Sequence, residues 1–314
     1  MKKERLYTTS DGTFTLHTIG WLPDDQSPRA VLQIVHGISE YMDRYDDFAT
    51  YLMLHGIIVI GCDLPGHGKT ATCSDDYGYF ADKDGWTLVV RALNDLASSL
   101  KQSCPHLPFF LMGHSMGSFL VRTMMIDYPD LANGVILSGT GQPQDRLLRS
   151  GLAITNFSVR LLGPRARNKG IEQLAMGAYN RQFAPSRTTA DWISRDTVVV
   201  DRYTADPLSN FLPTVSLFRD LLEGLIYIGD SNNHNTLNQE TPVFIFSGDQ
   251  DPVGENGVGV RRVVHALHQA GCHNIQLKLY PNGRHEMLNE LNRQEVYVDI
   301  LTWLNKQIED YYEV

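Results

Sequence analysis

Cysteine is scarce in this 314-residue chain. Cys62, Cys73, Cys104 and Cys272 are scattered, with no C-x-x-C pair among them. Such spacing fits reduced thiols, so a cytoplasmic protein is expected. Long apolar runs are lacking too. The longest, such as residues 242–246, are strand-sized and far from the ~18 residues a membrane span needs. An excess of basic charge is also missing: 27 Lys and Arg against 36 Asp and Glu leave −9, which argues against a general nucleic-acid binder. Gly and Pro, 26 and 14 residues, are at ordinary levels, so collagen-like and low-complexity scaffolds are excluded. The opening Met1-Lys2-Lys3-Glu4-Arg5 carries charge but no apolar stretch follows it, so no signal peptide is expected.

What is present is a rhythm. Short apolar runs at 31–35, 57–60, 108–112, 134–137, 242–246 and 275–280 are rich in β-branched and aromatic residues and show no clean alternation. Strands buried on both faces read this way. Helix-length segments separate them, at 41–55, 85–104, 118–128, 257–270 and 293–311. The pattern predicts an α/β fold with a mostly parallel central sheet flanked by helices. Residues 13–21, after the turn at Asp11-Gly12, read as an antiparallel edge strand.

Between 142 and 236 the rhythm breaks. No buried-strand run occurs there and the stretch is helical in character, so we expect a helical cap inserted into a core made of residues 1–141 and 237–314. The cap holds eleven basic and nine acidic residues, a formal +2, which leaves −11 for the rest. From Arg146 to Arg187 Glu172 is the only acid, amid Leu147, Leu148, Leu152, Ile154, Phe157, Leu161 and Leu162. The plain reading is a solvated helix face over a packed one. The sharper reading is an apolar lid that meets lipid or an anionic surface.

One motif carries chemistry. Gly113-His114-Ser115-Met116-Gly117 sits directly after the run at 108–112 and directly before a helical segment. Strand before and helix after is the context in which G-x-S-x-G places a serine on a sharp, exposed turn. A serine hydroxyl is a poor nucleophile and needs a base held by a carboxylate. Among 11 histidines, only His285 lies on a loop after the last predicted strand, which makes it the candidate base. The candidate acid follows the run at 242–246, in Ser247-Gly248-Asp249-Gln250-Asp251-Pro252. Asp251, pinned ahead of Pro252, is preferred, with Asp249 as the alternative. An oxyanion hole would draw one backbone N–H from Met116 and one from Ile38, in the loop His36-Gly37-Ile38. His36 is expected to serve the loop's structure, and His114 to point away from the serine. Trp86, Trp192 and Trp303 are read as packing residues. No metal or organic cofactor is called for by this chemistry.

Other patterns fail. Gly257-Val258-Gly259-Val260-Arg261-Arg262 puts Arg where a dinucleotide fingerprint needs its third glycine, and His285-Glu286-Met287-Leu288-Asn289 lacks the second histidine of a zinc hydrolase.

Taken together the motifs resemble the α/β-hydrolase superfamily, in its monoacylglycerol lipase and lysophospholipase-like branch. His36-Gly37-Ile38-Ser39-Glu40-Tyr41 with Arg44-Tyr45 resembles that branch's H-G-x-x-E-h-x-x-R-Y segment, and Asp63-Leu64-Pro65-Gly66-His67-Gly68 its D-x-x-G-H-G turn. Gly113–Gly117 resembles its elbow, Gly248–Asp251 its acid loop and His285 its terminal histidine. The resemblance covers most of the chain. It implies hydrolysis of carboxylic esters, monoacylglycerols or lysophospholipids, under a mobile helical cap over an acyl tunnel. Two rivals share the scaffold: a serine aminopeptidase, which must hold a free ammonium with cap carboxylates such as Glu172, Asp191 or Glu223, and a non-catalytic binding protein.

Overall fold

The computed structural model describes residues 1–24 and 27–313. Its eight strands are β1 (Lys2–Thr8), β2 (Thr15–Trp21), β3 (Ala30–Val35), β4 (Ile57–Cys62), β5 (Phe109–His114), β6 (Gly134–Ser138), β7 (Val243–Gly248) and β8 (Ile275–Tyr280). They form one sheet in the order β1-β2-β4-β3-β5-β6-β7-β8. β3 to β8 pair in parallel, while β2 runs antiparallel to both β4 and β1. Every residue of β3, β5, β6 and β7 is buried, as a sheet covered on both faces requires.

The antiparallel strand at 15–21 is as expected, but it is not the edge. β1 lies outside it, with Lys2 opposite Trp21 and Thr8 opposite Thr15. Sequence reasoning missed β1 because six of its seven residues are exposed, so it has no apolar pattern to read. Lys2, Lys3, Glu4 and Arg5 are also the charges by which an edge strand resists further pairing.

Helices α1 (Asp46–Leu54) and α9 (Arg293–Glu313) cover one face, where Phe48 and Trp303 pack with Phe110, Phe244 and Phe246. Helices α2 (Gly85–Ser103), α3 (Met116–Asp127) and α8 (Val258–Gln269) cover the other through Leu93, Leu120 and Val263. Between β6 and β7 the chain forms α4 (Asp145–Leu162), α5 (Lys169–Ala175), α6 (Thr197–Ala205) and α7 (Val215–Gly229). α4 lies on α7 through Leu148, Thr155 and Gly151, the last against Leu222. α7 in turn sits on the core, where Gly224 receives the Trp86 ring.

The stem of this insertion is tied by Arg122 of α3. Its buried guanidinium donates to Gly141 O, Gln142 Oε1 and Ile228 O, so it holds both the point of exit and the last turn of α7. Among the described residues no carboxylate pairs with it, and burial alone pushes its pKa down to about 9. Among the described residues no helix is long and apolar enough to cross a membrane.

Candidate active site

All the loops in question leave the carboxyl ends of parallel strands, where open α/β sheets place their ligands. Ser115 follows β5 at φ 52° and ψ −124°, a conformation that L residues rarely adopt. Sequence makes this turn possible through its two glycines. A Cβ on Gly113 would stand 2.3 Å from Gly117 O, and one on Gly117 would stand 2.0 Å from Val35 O. Strand and helix therefore approach more closely than any side chain permits. Ser115 N–H donates to Ser138 O at 2.9 Å, which locks the turn to the end of β6.

His285 lies on the loop after β8. Its Nδ1 is 3.0 Å from each carboxylate oxygen of Asp251, which follows β7. Asp251 is fully buried and accepts further bonds from Ser247 Oγ and from Val253 N–H. Burial works to raise its pKa, but the His285 ring and these donors outweigh it and hold the carboxyl below its ordinary value. Burial likewise works to lower the pKa of His285, and the Asp251 charge overrides it to leave a net rise. Asp249 is not in this pair: its carboxylate accepts from Asn282 N–H and braces the neighbouring loop.

The His285 ring lies against Gly139, where a Cβ would stand 2.9 Å from His285 Cε1, and Gly139 directly follows Ser138, whose carbonyl accepts from Ser115 N–H. Among the described residues no hydrogen bond joins the Ser115 hydroxyl to the imidazole. Catalytic bonds of this kind commonly tighten only when substrate is present. Of the five residues singled out, Ile38 and Met116 complete the set. The turn at Gly37 sits against Ser115, with a Cβ on Gly37 falling 3.0 Å from Ser115 Cβ. Neither Ile38 N–H nor Met116 N–H has an acceptor among the described residues. Two free amides thus flank the serine.

Three features of the surroundings were not foreseen. His114 packs its ring 4.7 Å from that of His285 while its Nδ1 meets Ser138 Oγ. Burial, aided by His285, drives its pKa down to about 4, so it is neutral near pH 7. Trp192, from the segment between α5 and α6, lies 5.0 Å from His285 on another side and shields the imidazole. Its role is thus at the site and not in packing alone. The third feature is ionic. Arg44 donates to Glu40 Oε2 at 2.9 Å and makes a two-pronged pair with Glu286 at 2.7 and 2.6 Å. Glu40 holds the Ile38 loop through Gly37 N–H, and Glu286 is the neighbour of His285. The guanidinium also lies 4.8 Å from the Tyr203 ring of α6. Arg44 and Glu40 stand in the segment that carries the resemblance, but nothing in sequence pairs Arg44 with a residue 242 positions away.

A cleft of about 360 Å³ opens beside Ile38 and Trp192 and is lined further by Lys169, Glu172, Met176 and Phe211. Among the described residues no cluster could hold a metal ion.

Residues 26–292 match the family described as serine aminopeptidase, S33. A monoacylglycerol lipase of Mycolicibacterium smegmatis is 29% identical over 293 residues, 90% of each chain. Phospholipase YtpA of Bacillus subtilis is 22% identical over 282 residues, 88% of this chain and 95% of its own. Among solved structures, a thermostable carboxyl esterase from Bacillus coagulans in complex with glycerol superposes with a TM-score of 0.89. It is 28% identical, with 98% of this chain and 99% of the esterase covered.

Proposed function

The chain belongs to the serine aminopeptidase, S33, family of α/β-hydrolases and is a carboxylic ester hydrolase; from that premise we propose that it cleaves monoacylglycerol or lysophospholipid-type lipid esters through an acyl-serine intermediate. The observation that carries this reading is the buried Asp251–His285 pair beside a serine strained onto the sheet edge, with two unpaired amides on either side.

Ser115 Oγ attacks the ester carbonyl carbon and its proton passes to His285 Nε2. Asp251 keeps the Nδ1–H tautomer and stabilises the imidazolium. The carbonyl oxygen, now negative, is met by the amides of Ile38 and Met116, each worth roughly 3–4 kcal/mol in the transition state. His285 then gives its proton to the leaving alcohol, which departs with the C–O electron pair. Water repeats the sequence on the acyl-enzyme and releases the acid. Residues 142–236 act as the cap over this site, as the contact of Trp192 with His285 supports.

The cap also carries the features that favour a lipid. Leu147, Ile154, Phe157 and Leu161 are all exposed on one face of α4, and Leu162 at its end is exposed too. Arg146 and Arg160 flank it, exposed and without a carboxylate partner among the described residues. Such a face suits brief contact with an anionic lipid surface.

A fluorophosphonate probe tests the chemistry: it labels the wild type and leaves Ser115→Ala unlabelled. Equal labelling of the two proteins would remove the nucleophile and the reading with it. On nitrophenyl esters kcat/KM rises with acyl length to a plateau, up to about fourfold per methylene at ~0.8 kcal/mol each. A flat series would point away from lipids. The aminopeptidase alternative has one observation in its favour, since Glu172 lines the cleft next to Ile38. Lys169 lines it too and opposes an ammonium. Aminoacyl-anilides in the same panel separate the two.

A further inference from the structure

The amide of Ile38 belongs to a peptide group whose other end is held. Gly37 O is bonded at 2.7 Å to Nδ1 of His36, the residue immediately before it. At the opposite corner of the ring, Leu64 N–H donates to His36 Nε2 at 2.9 Å. A backbone N–H can only donate, so Nε2 must carry the lone pair. The ring is buried, and burial pushes its pKa below the ordinary value, so it is neutral. The single ring proton is therefore on Nδ1 and points at Gly37 O. The tautomer is fixed by the turn at Asp63–Gly68, not by the site it serves.

The Gly37–Ile38 bond is trans; among the described residues the sole cis bond is Ala184-Pro185. In a trans peptide the C=O and N–H point in opposite directions. Fixing Gly37 O against His36 thus turns Ile38 N–H away from His36, and that amide has no acceptor in the protein. The preceding peptide is held as well, by Gly37 N–H donating to Glu40 Oε1 at 2.6 Å. A glycine whose built Cβ would fall 3.0 Å from Ser115 Cβ is clamped on both sides, and the Ile38 amide beside it is left free. Glycine is the residue most able to let this peptide flip, and a flip would present a carbonyl oxygen to a developing negative charge.

We propose that His36 is a positioning residue for catalysis: as the Nδ1–H tautomer set by Leu64 N–H, it holds the Gly37–Ile38 peptide in the orientation that aims Ile38 N–H at the oxyanion. This rests on the reading of Ser115 and Ile38 given above. His36 touches neither substrate nor reacting atoms. It acts through a carbonyl, which it also polarises, making the attached N–H a better donor.

Two substitutions divide the ring between them. Asn places its amide NH2 near the Nδ1 position, and Gln places its amide near Nε2. His36→Asn can keep the bond to Gly37 O and forfeits the one from Leu64; His36→Gln keeps the second and forfeits the first. On a soluble short-chain nitrophenyl ester, His36→Gln lowers kcat by about 10- to 100-fold with KM within about twofold, a fraction of what losing an oxyanion donor outright costs. His36→Asn recovers at least tenfold of that loss, whatever its melting temperature. A trifluoromethyl ketone, which forms the tetrahedral adduct, weakens against His36→Gln in step with kcat/KM. Equal losses in the two variants, following their melting temperatures, would make His36 a merely structural residue and overturn the proposal.

Should either variant fail to fold, the wild type decides. In 15N-histidine-labelled protein, the resonances lost on replacing His36, or the one unassigned neutral ring remaining after the other ten histidines are assigned, must show protonated Nδ1 and bare Nε2 from pH 6 to 9. A protonated Nε2 would end the argument. The underlying reading fails separately, by fluorophosphonate labelling that survives Ser115→Ala.

Discussion

Replacing Arg44 by Met tests the ionic bridge between the two loops of the site. Arg44, Glu40 and Glu286 are all nearly buried, and three bonds of 2.6–2.9 Å join them. Met has similar length and can still lie on the Tyr203 ring, so the perturbation is chiefly the loss of charge. Removing one partner of a buried pair costs about 3–5 kcal/mol, because it strands the other. At about 2 °C per kcal/mol for a chain of this size, the melting temperature falls by roughly 6–10 °C near neutral pH. The pH dependence gives the sharper check. In the native protein burial works to raise the Glu286 pKa, but Arg44 outweighs it and holds the carboxyl below its ordinary value. That stabilisation is present above the unfolded pKa near 4.5 and disappears as pH falls through the lower folded value. Without Arg44, burial is opposed only by the Asn289 amide and by His114, and the charged form of Glu286 loses its principal partner. The deficit of Arg44→Met is therefore larger at pH 8 than at pH 5, and adding Glu286→Gln restores part of it at pH 8. Thermal melts of the four proteins of this cycle at both pH values measure it. A deficit independent of pH, or one that Glu286→Gln deepens additively, would refute the reasoning.

Three further outcomes are expected. Because the base must be neutral and Asp251 raises its pKa, kcat/KM falls on the acid side through a single inflection above 6.5, and Asp251→Asn lowers kcat by about 10³–10⁴-fold; a pH-rate profile on a soluble ester reads both, and an inflection well below 6.5 would remove His285 as base. Gly117→Ala drives a Cβ to 2.0 Å from Val35 O and destabilises by more than about 3 kcal/mol, whereas Gly12→Ala, at φ 71° with nothing within 4 Å of the new atom, costs only about 1 kcal/mol; urea melts compare them, and equal costs would contradict the close approach. Phe157→Glu with Leu161→Glu weakens binding to phosphatidylglycerol vesicles at least tenfold, since each such side chain contributes up to about 1.5–3 kcal/mol on burial, and leaves soluble-ester turnover unchanged; unchanged vesicle sedimentation would return α4 to a simply solvated face.

Much of this architecture can be read before any coordinates. The parallel strands announce themselves because burial on both faces leaves few choices but Val, Ile, Leu and Phe, and Ser115 is marked by glycines that no other residue replaces. His285 stands out by elimination along the chain, which works because chain order orders the loops. β1 escaped because an exposed edge owes its residues to solvent. The contacts of Trp192 and His114 with the imidazole, and the pairing of Arg44 with Glu286, escaped for another reason: they join segments that only the folded sheet brings together, and no local pattern records them. Asp249 and Asp251 were separable only by a preference ahead of proline, and the hydrogen bonds distinguish them by partner: Asn282 for one, His285 for the other.

Arg122 gives the insertion a fulcrum. The residues between β6 and β7 are fastened at one clasp, made of three carbonyl-type oxygens around a single cation. That cation rides on α3, whose N-cap is Ser115. The inserted helices and the helix capped by Ser115 thus share one anchor, and a variant that loosens Arg122 unfastens both at once.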